Sequence, residues 1–143
     1  MEALALVEKI ATGEETKSHL LKVLDAFQNL DYHALNDLLD DDAYYEDLKK
    51  TSFIYRQKEI FSKFEKIGDT NLNISTNICT GCLCSEPVFV FSGNTSGHKY
   101  AIYVEFTQDE ITDIYKCFEQ SNWFDTDMPF WNSDIKLIIF SIE

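Results

Sequence analysis

Apolar positions along the first half of the chain recur at helical spacing, and those of the second half alternate as in strands, so helices are expected first and a sheet after. Leu4, Val7 and Ile10 mark a short helical piece that Gly13 ends. Leu20, Leu24 and Phe27, with Val23 beside them, form one stripe of a longer helix from about Thr16. Asp31 stands where an N-cap carboxylate would accept from the free amides of a following helix, whose buried side is Leu35, Leu38 and Leu39. The acidic run Asp40 to Asp42 closes that helix, and Ala43 to Asp47 reads as a short strand. Helical spacing returns from about Tyr55 to Ile67 through Ile60, Phe61, Phe64 and Ile67, with Gly68 as the stop.

Four strand patterns follow: Leu72 to Cys79, Cys82 to Phe91, His98 to Phe106 and Ile111 to Glu119. Gly81, the SGNTSG stretch and the acidic turn at Asp109 separate them, and such short connections predict hairpins in an antiparallel sheet. Helices followed by a strand meander give an α+β domain with the helices on one face of the sheet. Residues 1–143 form a single domain in this reading, with residues 1–15 as an N-terminal helical extension. Residues 121–143 form an aromatic C-terminal extension that includes a candidate added strand, Ile135 to Ile142.

Composition strengthens the picture of a packed domain: 45% of residues are hydrophobic, with 11 Phe, 7 Tyr and 2 Trp but only 5 Gly and 2 Pro. Charge narrows the partners, since the net value is −13 and Arg56 is the only arginine. Nucleic acid and anionic lipid headgroups are therefore excluded as expected partners, whereas neutral or cationic ligands meet no barrier. The N-terminal stretch MEALALVEKIATGEETK carries Glu2 and Glu8 and no basic leader, and no window approaches the roughly 18 apolar residues of a membrane span. A cytoplasmic protein with its cysteines as thiols is expected.

The helix ending LLDDDAYYED, the next helix YRQKEIFSKFEKI and the long paired strands resemble the NTF2-like superfamily, which includes SnoaL-like cyclases and ketosteroid isomerases. The resemblance spans about Lys17 to Gln120. It implies a cone-shaped sheet curled around the helices, leaving a mainly apolar pocket for a small neutral molecule. Val23, Phe27, Tyr45, Phe64, Tyr100 and Val104 are the pocket residues it points to. It further implies that Asp47, at the end of the first strand, occupies the position of the isomerase base, able to take a proton beside a carbonyl if apolar walls raise its pKa. The oxyanion donors of that reaction fall by register on Val23 and Val104, neither of which donates a hydrogen bond. The Asp-Arg-Asp set of the related epoxide hydrolases would need Arg56 to turn inward, and solvent exposure is the simpler expectation.

The remaining candidate chemistry is sparse. Asp40 to Asp42 lack the glycine and spaced oxygens of a calcium loop and read as a solvated turn. Cys79 and Cys82 have zinc-like CxxC spacing, with Cys84 and Cys117 as further thiols, but strand alternation sets Cys79 apart from the other two and favours buried thiols. His19, His33 and His98 read as exposed or loop-associated, with only His98 near a pocket mouth. No metal or cofactor is expected. The tail aromatics Trp123, Phe124, Phe130 and Trp131 either pack on the domain or form a patch for a second copy, and many NTF2-like domains pair through the open sheet face, so a homodimer is expected. The leading expectation is a small-molecule pocket without demonstrated chemistry; an enzyme using Asp47 as base and a non-catalytic dimerising module are the alternatives.

Overall fold

The computed structural model describes residues 3–78, 87–108, 110–117 and 120–121. Three helices come first, α1 (Ala3–Ile10), α2 (Glu14–Gln28) and α3 (Tyr32–Leu38). A two-stranded hairpin, β1 (Tyr44–Tyr45) and β2 (Leu48–Lys49), leads directly into α4 (Lys50–Lys66). Strands β3 (Leu72–Ile78), β4 (Pro87–Gly93), β5 (Lys99–Thr107) and β6 (Glu110–Lys116) then form an antiparallel sheet in sequence order. The α+β class matches the sequence reading. Cys79, Cys82, Cys84 and the candidate strand Ile135–Ile142 lie outside the described residues. Among the described residues no helix is long and apolar enough to cross a membrane.

Two expected elements change shape. The strand expected over Ala43 to Asp47 reverses after Tyr45, and the helix expected from about Tyr55 starts at Lys50. Phe53 and Ile54 are buried on that earlier part of α4, but the apolar stripe they begin is interrupted by Gln57, itself fully buried. A polar residue on the inner face hides the helix's first two turns from a hydrophobicity pattern.

Helix ends follow local backbone chemistry. Asp31 caps α3, its Oδ1 accepting from the Ala34 amide at 3.0 Å. Helices α2 and α4 both close with the same pair of reversed bonds. In α2, Asp31 N donates to Ala26 O and Leu30 N to Phe27 O; in α4, Asp69 N donates to Phe64 O and Gly68 N to Glu65 O. The motif needs a left-handed residue just past the helix. Gly68 supplies it at φ +103°, whereas Leu30 adopts φ +56° at a steric cost of about 1 kcal/mol and offsets it by burying its side chain.

The helices cover one sheet face. Leu20, Val23, Leu24 and Phe27 of α2 and Phe53, Ile60, Phe61 and Phe64 of α4 join Phe89, Phe91, Tyr100, Ile102 and Ile114 in one apolar core. Phe27 is its centre, stacked on Phe91 at 5.3 Å and edge-on to Phe61 at 5.7 Å. On the opposite face a smaller cluster gathers Val88, Val90, Ala101, Tyr103 and Cys117. Near one end, β6 inserts Thr112 opposite the Glu105–Phe106 step, a bulge that bends the β5–β6 pair.

The loop after α4 is fastened to the β4–β5 turn by a buried carboxylate. Asp69 Oδ1 accepts from the Thr95 and Ser96 amides, both at 2.8 Å, and Oδ2 from the Ser96 hydroxyl at 2.6 Å. Gly93 must be glycine here, because a Cβ would stand 2.1 Å from Asp69 Oδ2. Burial alone would raise the Asp69 pKa, but the Ser96 and Thr95 hydrogen bonds, helped by the charge of His98, outweigh it and hold the carboxyl below its ordinary value. A depressed folded-state pKa stabilises fully above the unfolded value of about 3.9, and the contribution is lost as pH falls through the folded value. Asp69→Asn is therefore expected to destabilise by about 1–3 kcal/mol at pH 7. Urea unfolding of both proteins from pH 7 to pH 2 should show that gap closing below about pH 4.

Candidate functional site

Of the residues expected to wall an internal pocket, Val23, Phe27, Phe64 and Tyr100 are buried in the main core, and Val104 is half-buried against it. Phe27 and Tyr100 lie 6.3 Å apart between ring centroids. Tyr45 is buried as well, 5.3 Å from Phe53, but its hydroxyl accepts from the Asp40 amide at 3.1 Å near the surface. Burial pushes the Tyr45 phenol pKa up, only partly countered by the Asp40 amide, so the group stays neutral.

Asp47 stands in a different place from the strand end expected of a base. Tyr44 pairs with Lys49 and Tyr45 with Leu48, leaving Glu46 and Asp47 as a two-residue hairpin loop. Their φ values of +54° and +62° are both left-handed, the geometry whose twist suits a tight hairpin. The turn leaves Asp47 exposed, and it lines none of the three clefts described below. Glu46 is the carboxylate that turns inward. Its Oε2 accepts from the Lys116 amide at 2.6 Å and its Oε1 from Arg56 at 3.0 Å, while its own amide donates to Asp113 Oδ1 at 2.9 Å. The small hairpin is thereby stitched to β6, and Arg56 keeps half of its side chain exposed beside Glu46.

A cleft of about 620 Å³ opens where α2 begins, α3 ends and the β5–β6 turn comes close. Leu38, Leu39, Tyr45 and Ile111 form its apolar side. Thr16 and His19 face it from α2, and Glu15, Asp40 and Glu110 bring negative charge, with no lysine or arginine among the lining residues. This volume falls in the range of ligand sites, and six of the ten lining residues are polar or charged, so the apolar wall is confined to one side. His19 was not among the expected site residues. Its spacing of three from Thr16 and four from Glu15 puts all three on one helix face, which is the signal that would have found it. A second cleft of about 620 Å³ runs between α1, α2 and β3, where Lys17 pairs with Glu8 at 2.8 Å. A third, of about 560 Å³, lies beside Asp41 and Asp42, where the buried Lys50 pairs with Asp41.

Of the other histidines, His33 is exposed with its ring 4.2 Å from that of Tyr32, and His98 adds its charge near Asp69. Among the described residues no group of three His, Cys, Asp or Glu side chains is placed to hold a metal, and the Cys117 side chain is buried. One polar group in the core stands out. Tyr100 donates its hydroxyl to Gln57 Oε1 at 2.7 Å, while Gln57 Nε2 is buried without a hydrogen-bond partner among the described residues. Comparison with family models, with curated proteins and with solved structures finds no match to the chain.

Two measurements check these assignments. Asp47→Gly, which relieves a left-handed side chain, is expected to raise stability by up to about 1 kcal/mol, while Glu46→Ala should lower it by about 1–3 kcal/mol by leaving the Lys116 amide and Arg56 unpaired; thermal unfolding of both variants reads the opposite signs. A double-mutant cycle tests the core pair: Gln57→Leu alone removes the acceptor at the Tyr100 hydroxyl and should cost about 1–3 kcal/mol, whereas Gln57→Leu with Tyr100→Phe should recover most of that loss.

Proposed function

We propose that this chain is an NTF2-like domain that binds a small, neutral molecule with an apolar body in the Tyr45 cleft, without using Asp47 as a catalyst. The observation that carries this reading is the cleft itself, about 620 Å³ with Leu38, Leu39, Tyr45 and Ile111 on one side and the Thr16 and His19 side chains on the other. Burying the apolar body against those side chains supplies the affinity, at about 25 cal/mol per Å² removed from water. A hydroxyl and an imidazole offer directional contacts to a carbonyl or hydroxyl of the ligand. The acids Glu15, Asp40 and Glu110 disfavour carboxylates and phosphates. What supports the NTF2-like assignment is the order of elements: helices, a short hairpin, a long helix, then a four-stranded meander with the helices on one face.

The reading differs from an internal pocket in where the ligand sits. The core rings pack around Phe27, and the Tyr45 cleft lies at the margin of that core, where Tyr45 meets Ile111. Native mass spectrometry of the purified protein, followed by thermal shift against small aromatic ketones, alcohols and carboxylates, tests the proposal. Neutral compounds are expected to raise Tm, by the equivalent of about 2.7 kcal/mol at one hundred times Kd, and carboxylates of the same shape to bind more weakly. Ile111→Trp, which fills the cleft, should abolish the shift without lowering the Tm of the ligand-free protein by more than a few degrees. An undiminished response in that variant would place the ligand elsewhere.

A further inference from the structure

The sheet has a second apolar face that the helices do not use. Register places Val90 between Ser75 and Ala101, and Val88 beside Asn77, so one strip of the outer face is apolar where its β3 margin is polar. Tyr103 extends the strip and lies 5.0 Å from the Tyr115 ring. Val88, Val90, Ala101 and Tyr103 are nevertheless 0%, 4%, 0% and 5% exposed, and among the described residues the other buried member of their cluster is Cys117.

The described residues that follow β6 turn onto this face. Cys117 continues the ladder by donating its amide to Ala101 O at 2.8 Å. The Ala101 amide in turn donates to the Ser121 hydroxyl at 2.9 Å, and Ser121 is itself buried. Gln120 accepts through Oε1 from the Asn77 side chain on β3 at 2.9 Å. Since β3 and β5 are separated by β4, contacts to Asn77 and to Ala101 from adjacent residues straddle the strip that Val88 and Val90 occupy.

We infer that this face is the docking surface for the chain's own residues 122–143, and that it is closed within one molecule instead of between two copies. The chain passes Ser121 already anchored at the strip. The sequence that follows carries Trp123, Phe124, Phe130 and Trp131 and then the apolar run IKLIIF, which suits an aromatic and aliphatic surface. Reach is not limiting: fully extended, residues 122–143 span about 70 Å at about 3.3 Å per residue, against roughly 15 Å across four strands. A tethered segment also meets the face at an effective concentration in the millimolar range, above that of a second copy at micromolar protein.

Both tryptophans of the protein lie in this segment, so indole fluorescence reports on it alone. The full chain, followed by sedimentation and acrylamide quenching across a hundredfold concentration range, is expected to stay monomeric with indoles quenched several-fold less than in unfolded protein. Val90→Lys, placed at the centre of the strip, should restore strong quenching while far-UV circular dichroism is kept. Protein ending at Ser121 should bind more anilinonaphthalene sulfonate than the full chain. Indoles as accessible as in unfolded protein would overturn the inference, as would protection that Val90→Lys leaves unchanged. A dimer whose protection falls on dilution would overturn it in favour of a second copy on the face. Should the variants fail to fold, quenching and sedimentation of the unaltered chain still decide.

Discussion

The position of Phe27 constrains everything else in this fold. One ring on α2 meets β4 through Phe91, β5 through Tyr100 and α4 through Phe61, so both helices and the two central strands are joined by contacts to a single side chain. Stacked and edge-on pairs of this kind add about 0.5–1.5 kcal/mol each beyond the burial of the rings. Val23, Phe61, Phe64 and Tyr100 share this core with Phe27, and the Tyr45 cleft lies at its margin. The Gln57–Tyr100 pair is the polar exception inside this core, and its position on the inner face of α4 ties that helix to β5 by direction as well as by contact.

A chain with a net charge of −13 must tolerate strong self-repulsion, and it does so with few cations. Much of the compensation comes from backbone amides. Asp31 accepts from Ala34, Asp40 from Asp42, Asp69 from Thr95 and Ser96, Glu46 from Lys116, and Asp113 from Glu46. Each of these bonds fastens a helix start or a turn, and a charged acceptor makes a stronger bond than a neutral one. The acidity of the sequence is therefore partly structural, and at the Glu46–Asp47 hairpin it stands in for the glycine that such a turn usually carries.

That substitution of carboxylates for special turn residues explains what was legible in the sequence. The stripes on α2, the Asp31 cap, the Gly68 stop and the four-strand meander were readable because each carries a periodic or punctuating residue. The reversal at Glu46–Asp47 was not, since a two-residue hairpin loop is announced by Asn-Gly or Asp-Gly and this one is built from two acids held left-handed by the Glu46 bonds to β6. Leu30 conceals its helix end in the same way. In the candidate cleft, Tyr45 is an expected wall residue that lies at the margin and not in the interior, while His19 gains meaning only together with Thr16 and Glu15 on its helix face.

Strand composition carries one further consequence. A sheet exposed on one side shows strict alternation, as β3 does with its pattern of Ile74 between Asn73 and Ser75. Strands β4 and β5 instead run apolar on consecutive positions, Val88 to Phe91 and Tyr100 to Tyr103, and all eight residues are buried. Continuous runs of this kind belong to strands covered on both faces. The helices account for the side bearing Phe89, Phe91, Tyr100 and Ile102, and the other side requires a layer of its own. An open α+β sheet with one helical layer would leave Val88 and Val90 against water, where aliphatic side chains at the centre of a flat surface favour association. The contacts of Gln120 with Asn77 and of Ser121 with Ala101 bring the described residues after β6 to that side of the sheet.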